Sequence, residues 1–217
     1  MRKKTITICI ALVVFAVMTG LVASGRTAGF DDTIRFAFYS IRCAGLTAAA
    51  KVFAAIGSWW GISILCAALL AIKATRLKAG VPVALAAVSS QVTEKIIKAI
   101  IQRPRPPYAD RLVEIGGWSF PSGHSTTSMA VFLMLIYIVR TQVRSPFAKN
   151  LLTVILAIPM ICVGLSRIYL GVHYPSDVIG GWSLGVAMAM SCIIFGEKIE
   201  AGKAGKPGQE PRDFNKN

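Results

Sequence analysis

The chain has 217 residues, 54% of them apolar and only 16% charged, with a mean hydropathy of +0.61. An ordinary soluble domain carries about 25% charged residues, so that class is excluded. The net charge of +14 comes with no basic patch interleaved with aromatics and no recognisable nucleic-acid module, which excludes nucleic acid as its reason.

The apolar residues fall in runs close to the roughly 20 needed to cross a bilayer. Behind Met1-Arg-Lys-Lys4, a first helix is expected from about residue 6 to 24; a signal peptide cleaved near Val22-Ala-Ser24 is the competing reading. Phe30, Ile34, Phe38 and Ile41 recur at helical spacing with charges between them, which predicts a short amphipathic segment lying at the interface within residues 25–57. Trp59 and Trp60 mark an aromatic belt at the start of a second span, about 59–75. Four more spans follow, at about 81–102, 122–139, 151–172 and 176–195. The expected fold is all-α, a polytopic membrane bundle of six transmembrane helices, with a single domain over residues 1–197. A basic tail over 198–217 has no apolar period and reads as disordered. The five cysteines, Cys9, Cys43, Cys66, Cys162 and Cys192, are odd in number and scattered, mostly inside apolar runs; neither a disulfide framework nor a zinc spacing emerges.

With a cytoplasmic N-terminus, 14 of the 24 Lys and Arg residues fall on cytoplasmic segments, from Arg2 to Lys4, Lys73 to Lys78, Arg140 to Lys149 and along the tail. The positive-inside rule is then met, both termini are cytoplasmic, and every chemically suggestive residue lies on the outer side of the cell membrane.

Three clusters occupy that side. Glu94, Lys95 and Lys98, with Gln91, stand inside the third span, where ionisable groups are costly and usually face a polar cavity. Lys98, Gln102 and Arg105 share one side of a helix if it persists that far, and a lysine with an arginine fork suits a phosphate dianion; two snorkelling side chains are an equal alternative. Phe120-Pro-Ser-Gly-His124 opens the fourth span, where backbone N–H groups and the helix dipole favour an anion and His124 stands beside it; a merely capped helix is the bland reading. Ser166-Arg167 leads to His173 and, four residues on, Asp177. A helix starting there brings the carboxylate to the near imidazole nitrogen and leaves the far one free to attack phosphorus.

Lysine, six residues, Arg-Pro; Pro-Ser-Gly-His; then Ser-Arg, five residues, His, three residues, Asp: these resemble the three ordered signatures of the type 2 phosphatidic acid phosphatase family, whose superfamily includes vanadium haloperoxidases and glucose-6-phosphatase. The resemblance covers about residues 1–197, and the spacing from Lys98 selects Arg105 over Arg103. It implies a lipid phosphate phosphatase in which His173 forms a phosphohistidine and Asp177 holds its ring. Lys98, Arg105, Ser122, Gly123 and Arg167 would bind the phosphoryl oxygens, and His124 would protonate the leaving group. No metal and no other cofactor is expected, because a two-metal site needs more carboxylates or histidines than these motifs offer. The expected partners are the bilayer and a membrane lipid phosphate of undecaprenyl diphosphate, phosphatidylglycerophosphate or phosphatidic acid type. Transfer of the phosphate to a second lipid is the alternative chemistry. A transporter or lipid-binding scaffold is the non-enzyme alternative, disfavoured by the lack of inverted repeats. Glu94 reads as the i,i+4 partner of Lys98, and Gln91 and Lys95 have no assigned role.

Overall fold

The computed structural model describes residues 2–204 and is helical throughout its regular elements. In chain order these are α1 (Arg2–Ala23), α2 (Ala28–Ser40), α3 (Ala44–Ile56), α4 (Trp59–Ala71), the single turn α5 (Lys73–Thr75) running into a π-helical turn (Arg76–Gly80), α6 (Val81–Ile101), a 3-10 turn (Tyr108–Asp110), α7 (Gly123–Gln142), α8 (Pro146–Tyr169) and α9 (Pro175–Ala204).

Helices α1, α8 and α9 are long and apolar enough to cross a membrane. The pair α3 and α4 meets the same test together, bent by 52°. That corrects the second expected span. Helix α4 has only 13 residues, about 20 Å at 1.5 Å per residue, against the ~30 Å of a hydrocarbon core. Ser58 caps it, its hydroxyl accepting from the Gly61 N–H at 3.0 Å, and the preceding Gly57 packs where a Cβ would meet Val163 of α8. Helices α6 and α7, of 21 and 20 residues, are long enough but are diluted by polar side chains, of which Ser90 and Glu94 on α6 and Ser125 to Ser128 on α7 turn inward while Lys95 is exposed. On α6, Leu85, Val88, Val92, Ile96 and Ile100 form an exposed stripe, while Val83, Ala86, Ala87, Ser90 and Glu94 are buried. An apolar outside around a polar inside is the pattern of a helix facing lipid.

Helix α7 is the centre of the bundle, packed on α6, α8 and α9, with residues Ser125 to Phe132 all buried. Its partner α9 approaches closely because its glycines allow it: a Cβ on Gly181 would lie 2.8 Å from the Ser122 carbonyl oxygen, and one on Gly185 2.5 Å from that of Thr126. Helix α1 lies along α9, with Phe15 stacked on Phe120 at 5.8 Å and Lys4 paired with Glu197. An apolar core of Ile62, Val83, Ala86, Val131, Met134 and Ile193 joins α4, α6, α7 and α9.

Two more expectations change. The segment read as one interface-lying stretch is two helices, and Asp31 and Arg35 of α2 are turned inward, 1% and 6% exposed. The expected tail begins as helix, since α9 continues to Ala204; the remainder of that expectation, residues 205–217, lies outside the described residues.

Candidate active site

Four helix ends meet at one end of the bundle: the C-termini of α6 and α8 and the N-termini of α7 and α9. Between them lies a cavity of about 430 Å³ whose walls include Glu94, Lys98, Arg105, Gly123, His124 and His173. Lys98 and His173, 75 residues apart in sequence, are thereby brought to one space.

Helix α8 ends where Gly171 adopts a left-handed φ of 73°, and a Cβ there would lie 2.2 Å from the Asp110 carbonyl oxygen. The Arg42 guanidinium donates to the Tyr169 carbonyl in the last turn at 2.8 and 3.1 Å, holding this helix end. The turn delivers His173, 1% exposed, and α9 then starts at Pro175 with Asp177 in its first turn. The expected contact forms, but at 3.4 Å between Nδ1 and Oδ2. Ser119 closes the gap: its Oγ donates to Asp177 Oδ2 at 2.5 Å and stands 3.3 Å from His173 Nδ1. Asp177 Oδ2 also accepts the Tyr174 N–H at 2.8 Å. With its proton on Nδ1 toward Ser119, the imidazole presents a lone pair at Nε2, which faces Arg105 Nη1 at 3.0 Å. Burial first, then the charges of Arg105, Lys98 and Arg167, hold the His173 pKa well below its usual 6.5, so the ring is neutral. Ser119 was missed by the sequence reading, although it lies just ahead of Phe120-Pro-Ser-Gly-His124; a lone serine in a loop carries no periodicity or spacing to mark it.

Arg105 is not on the helix with Lys98. Helix α6 stops at Ile101, Gln102 takes a left-handed φ of 50° and turns its amide back to the Ala99 carbonyl, and Arg105 reaches the cavity from the following loop. Its acceptors are neutral, the carbonyls of Gly116, Gly117 and Val172 at 2.8 to 3.2 Å, and among the described residues no carboxylate forms an ion pair with it. Burial, only partly opposed by Asp177, lowers its pKa to about 10. Lys98 pairs with Glu94 at 2.7 Å. Gly123 is required beside that pair, because a Cβ there would lie 2.6 Å from the Glu94 carboxylate. Ser122 caps α7, accepting from the Ser125 hydroxyl at 2.9 Å and its N–H at 3.4 Å, and is fully buried. Arg167 is 3% exposed with its Nε unpartnered, the arrangement of a guanidinium that awaits an acceptor.

Arg103, two residues before Arg105, does something different. It bridges Asp177 Oδ1 (2.6 Å) and Asp31 Oδ2 (2.7 Å), donates to Ser176 Oγ at 2.7 Å, and lies over the Tyr174 ring at 4.1 Å. Burial works against its charge, but Asp177 and Asp31 outweigh it and raise its pKa. Among the described residues no three His, Cys, Asp or Glu side chains gather closely enough to hold a metal ion.

Residues 79–200 match the family model of the PAP2 superfamily. The chain is 36% identical over 115 residues to phosphatidylglycerophosphatase B of Bacillus subtilis, covering 52% of this chain and 55% of that one. It is 34% identical over 126 residues to an undecaprenyl-diphosphatase of Sulfolobus acidocaldarius, covering 55% of each. The aligned part thus spans about half the length of these curated relatives. A crystal structure of a transmembrane PAP2-type phosphatidylglycerolphosphate phosphatase from Bacillus subtilis superimposes with a TM-score of 0.78 at 28% identity, over 89% of this chain and 97% of that one. The matched stretch carries α6 through most of α9, and with them every wall residue of the cavity from Gln91 to His173: the chain belongs to the PAP2 superfamily.

Proposed function

We propose that this protein is an integral membrane, metal-independent lipid phosphate phosphatase that works through a phosphohistidine. The observation that carries this reading is the lone pair of a buried, neutral His173 aimed at Arg105 on the cavity wall, with neither Arg105 nor the buried Arg167 paired to a carboxylate among the described residues. A tetrahedral anion seated between them satisfies both guanidiniums and lies against Nε2.

The steps follow from those positions. Nε2 of His173 attacks phosphorus in line and the bond to the leaving oxygen breaks as the N–P bond forms. Arg105, Arg167, Lys98, the Ser122 hydroxyl and the Gly123 N–H hold the three equatorial oxygens, a preorganised field of donors that supplies most of the rate in such transfers. His124 gives its proton to the leaving oxygen, then takes one from the water that attacks the phosphohistidine and releases phosphate. The imidazolium forming at His173 is met by Ser119 and Asp177. Each of these groups is on this chain, and none of the steps calls for a metal.

The same reading sets the molecule in the bilayer with six crossings, taking the bent α3 and α4 as one and adding α6 and α7. Helix α2 then lies at the interface beside the cavity. The cavity opens at the outer face of the cell membrane, because Lys4, Lys78, Arg140 and Lys149 gather at the opposite end with the α9 C-terminus. A substrate that is itself a membrane lipid, of undecaprenyl diphosphate, phosphatidylglycerophosphate or phosphatidic acid type, places its phosphate there.

Phosphate release by the purified protein from a panel of these lipids, in EDTA, is the test. Wild type releases phosphate, and His173→Ala retains the fold while turnover falls at least 10³-fold, on the order seen when a nucleophile is removed. Turnover by His173→Ala near the wild-type rate, or activity lost in EDTA and restored by magnesium, rejects the mechanism.

A further inference from the structure

The cavity is larger than a phosphoryl group needs, and its further wall carries polar side chains beside the apolar Trp59 and Ile115. One turn below Lys98 on α6 are Lys95 and, a turn further, Gln91, both on its wall, with Thr127 of α7 opposite. Lys95 has no acidic partner among the described residues, and the Gln91 amide makes no hydrogen bond there. Helix α6 runs toward the site and α7 away from it. The step from Lys98 to Lys95 and from His124 to Thr127 is therefore the same step, about 4.5 Å, from the reacting end into the bilayer. That is the direction the leaving lipid must take.

Charge decides what this lower space holds. Lys98 is matched by Glu94, and Asp177 by Arg103. Arg105, Arg167 and Lys95 remain, three positive charges. A phosphomonoester brings at most two negative charges at neutral pH. A cation is left over on the leaving-group side, beside an amide and a hydroxyl able to hold oxygen.

On the footing of the phosphatase reading above, we infer that Lys95 and Gln91 form a subsite for a second anionic phosphate on the leaving group. The preferred substrate then carries two phosphates, and after the reaction one stays on the lipid. Two lipid chemistries share that feature: a diphosphate, whose phosphates are joined through oxygen, and a phosphomonoester joined by a short polar bridge to a phosphodiester. A lipid whose leaving group is a neutral alcohol leaves Lys95 unmatched.

The experiment measures kcat/KM for phosphate release in neutral detergent micelles, where no anionic lipid surface competes for Lys95. The substrates are a prenyl diphosphate, phosphatidylglycerophosphate and phosphatidic acid. In Lys95→Ala the ratio of either two-phosphate lipid to phosphatidic acid falls about tenfold, mainly through KM, the loss of one charge-assisted contact. Lys95→Arg restores it. The arm in which the fall is larger identifies which of the two chemistries fits. A ratio unchanged in Lys95→Ala overturns the subsite and leaves the phosphatase reading standing, with Lys95 a snorkelling side chain. No phosphate from any of the three lipids with wild type overturns the phosphatase reading itself, and the subsite with it.

Discussion

Ser119 is the residue whose role the fold reveals most sharply. Its hydroxyl is the shorter link between His173 and Asp177, so the carboxylate steers the imidazole largely through it. Ser119→Ala is expected to lower kcat at least tenfold with KM little changed, because a hydrogen bond to a charged group contributes roughly 1.5–3 kcal/mol and this one bears on the attacking ring rather than on substrate. A rise in KM at constant kcat contradicts that role. His173 itself carries a pH prediction. In the proposed mechanism only the neutral ring attacks, and burial together with Arg105, Lys98 and Arg167 depresses its pKa below 6.5. The folded ring therefore stays unprotonated as pH falls through the ordinary imidazole range, and the acid limb of kcat/KM assigned to it lies below pH 6.5. A kcat/KM that already declines between pH 7 and 6.5 argues for a different titrating group. The identities of His173, His124, Asp177, Lys98 and Arg105 were readable as spaced motifs, whereas Ser119 and Arg103 act through contacts 58 and 74 residues away, which no local spacing records.

Helices contribute by where they end and how closely they pass. Arg103 ties the start of α9 to α2, satisfying Asp177 and Asp31 at once. Arg103→Met leaves two buried carboxylates without their cation, a loss of about 3–5 kcal/mol that lowers the melting temperature as well as activity. Thermal unfolding like that of wild type rules out the clamp. Passing distance is set by glycine on α9. Gly185→Ala forces a methyl against the Thr126 carbonyl and Met129 and costs roughly 1–3 kcal/mol, whereas Gly196→Ala, with nothing within 4 Å, carries no such cost. Equal melting temperatures for the two contradict close α7–α9 packing. Apolar run length placed α1, α6, α7 and α8 within about five residues at each end and found the start of α9, which runs on to Ala204. It misplaced the second span because Trp59 and Trp60 mark the start of α4 but not the Gly57-Ser58 bend that joins it to α3. The amphipathic period expected within residues 25–57 is found in α2, whose Asp31 meets Arg103.

For the whole molecule, sidedness is the open prediction. In a background without the five native cysteines, Gly116→Cys, in the exposed loop beside the site, is labelled by a membrane-impermeant maleimide added to intact cells, and Arg144→Cys, between α7 and α8, is labelled only after lysis. The reverse pattern puts the cavity on the inner face. The chemistry-bearing residue types, their order and the membrane environment follow from sequence alone, because motif spacing and apolar run length are local properties of a chain in a bilayer. Which arginine meets the cavity and which locks α9 to α2 does not: Arg103 and Arg105 differ by two residues in a loop beyond the end of α6, and only the backbone's left-handed turn at Gln102 and the position of Asp31 separate them. The same holds for the surplus positive charge around Lys95. It exists only after Glu94 has found Lys98 and Asp177 has found Arg103, and those pairings are decided by packing, since a buried charge without a partner is too costly to leave in place.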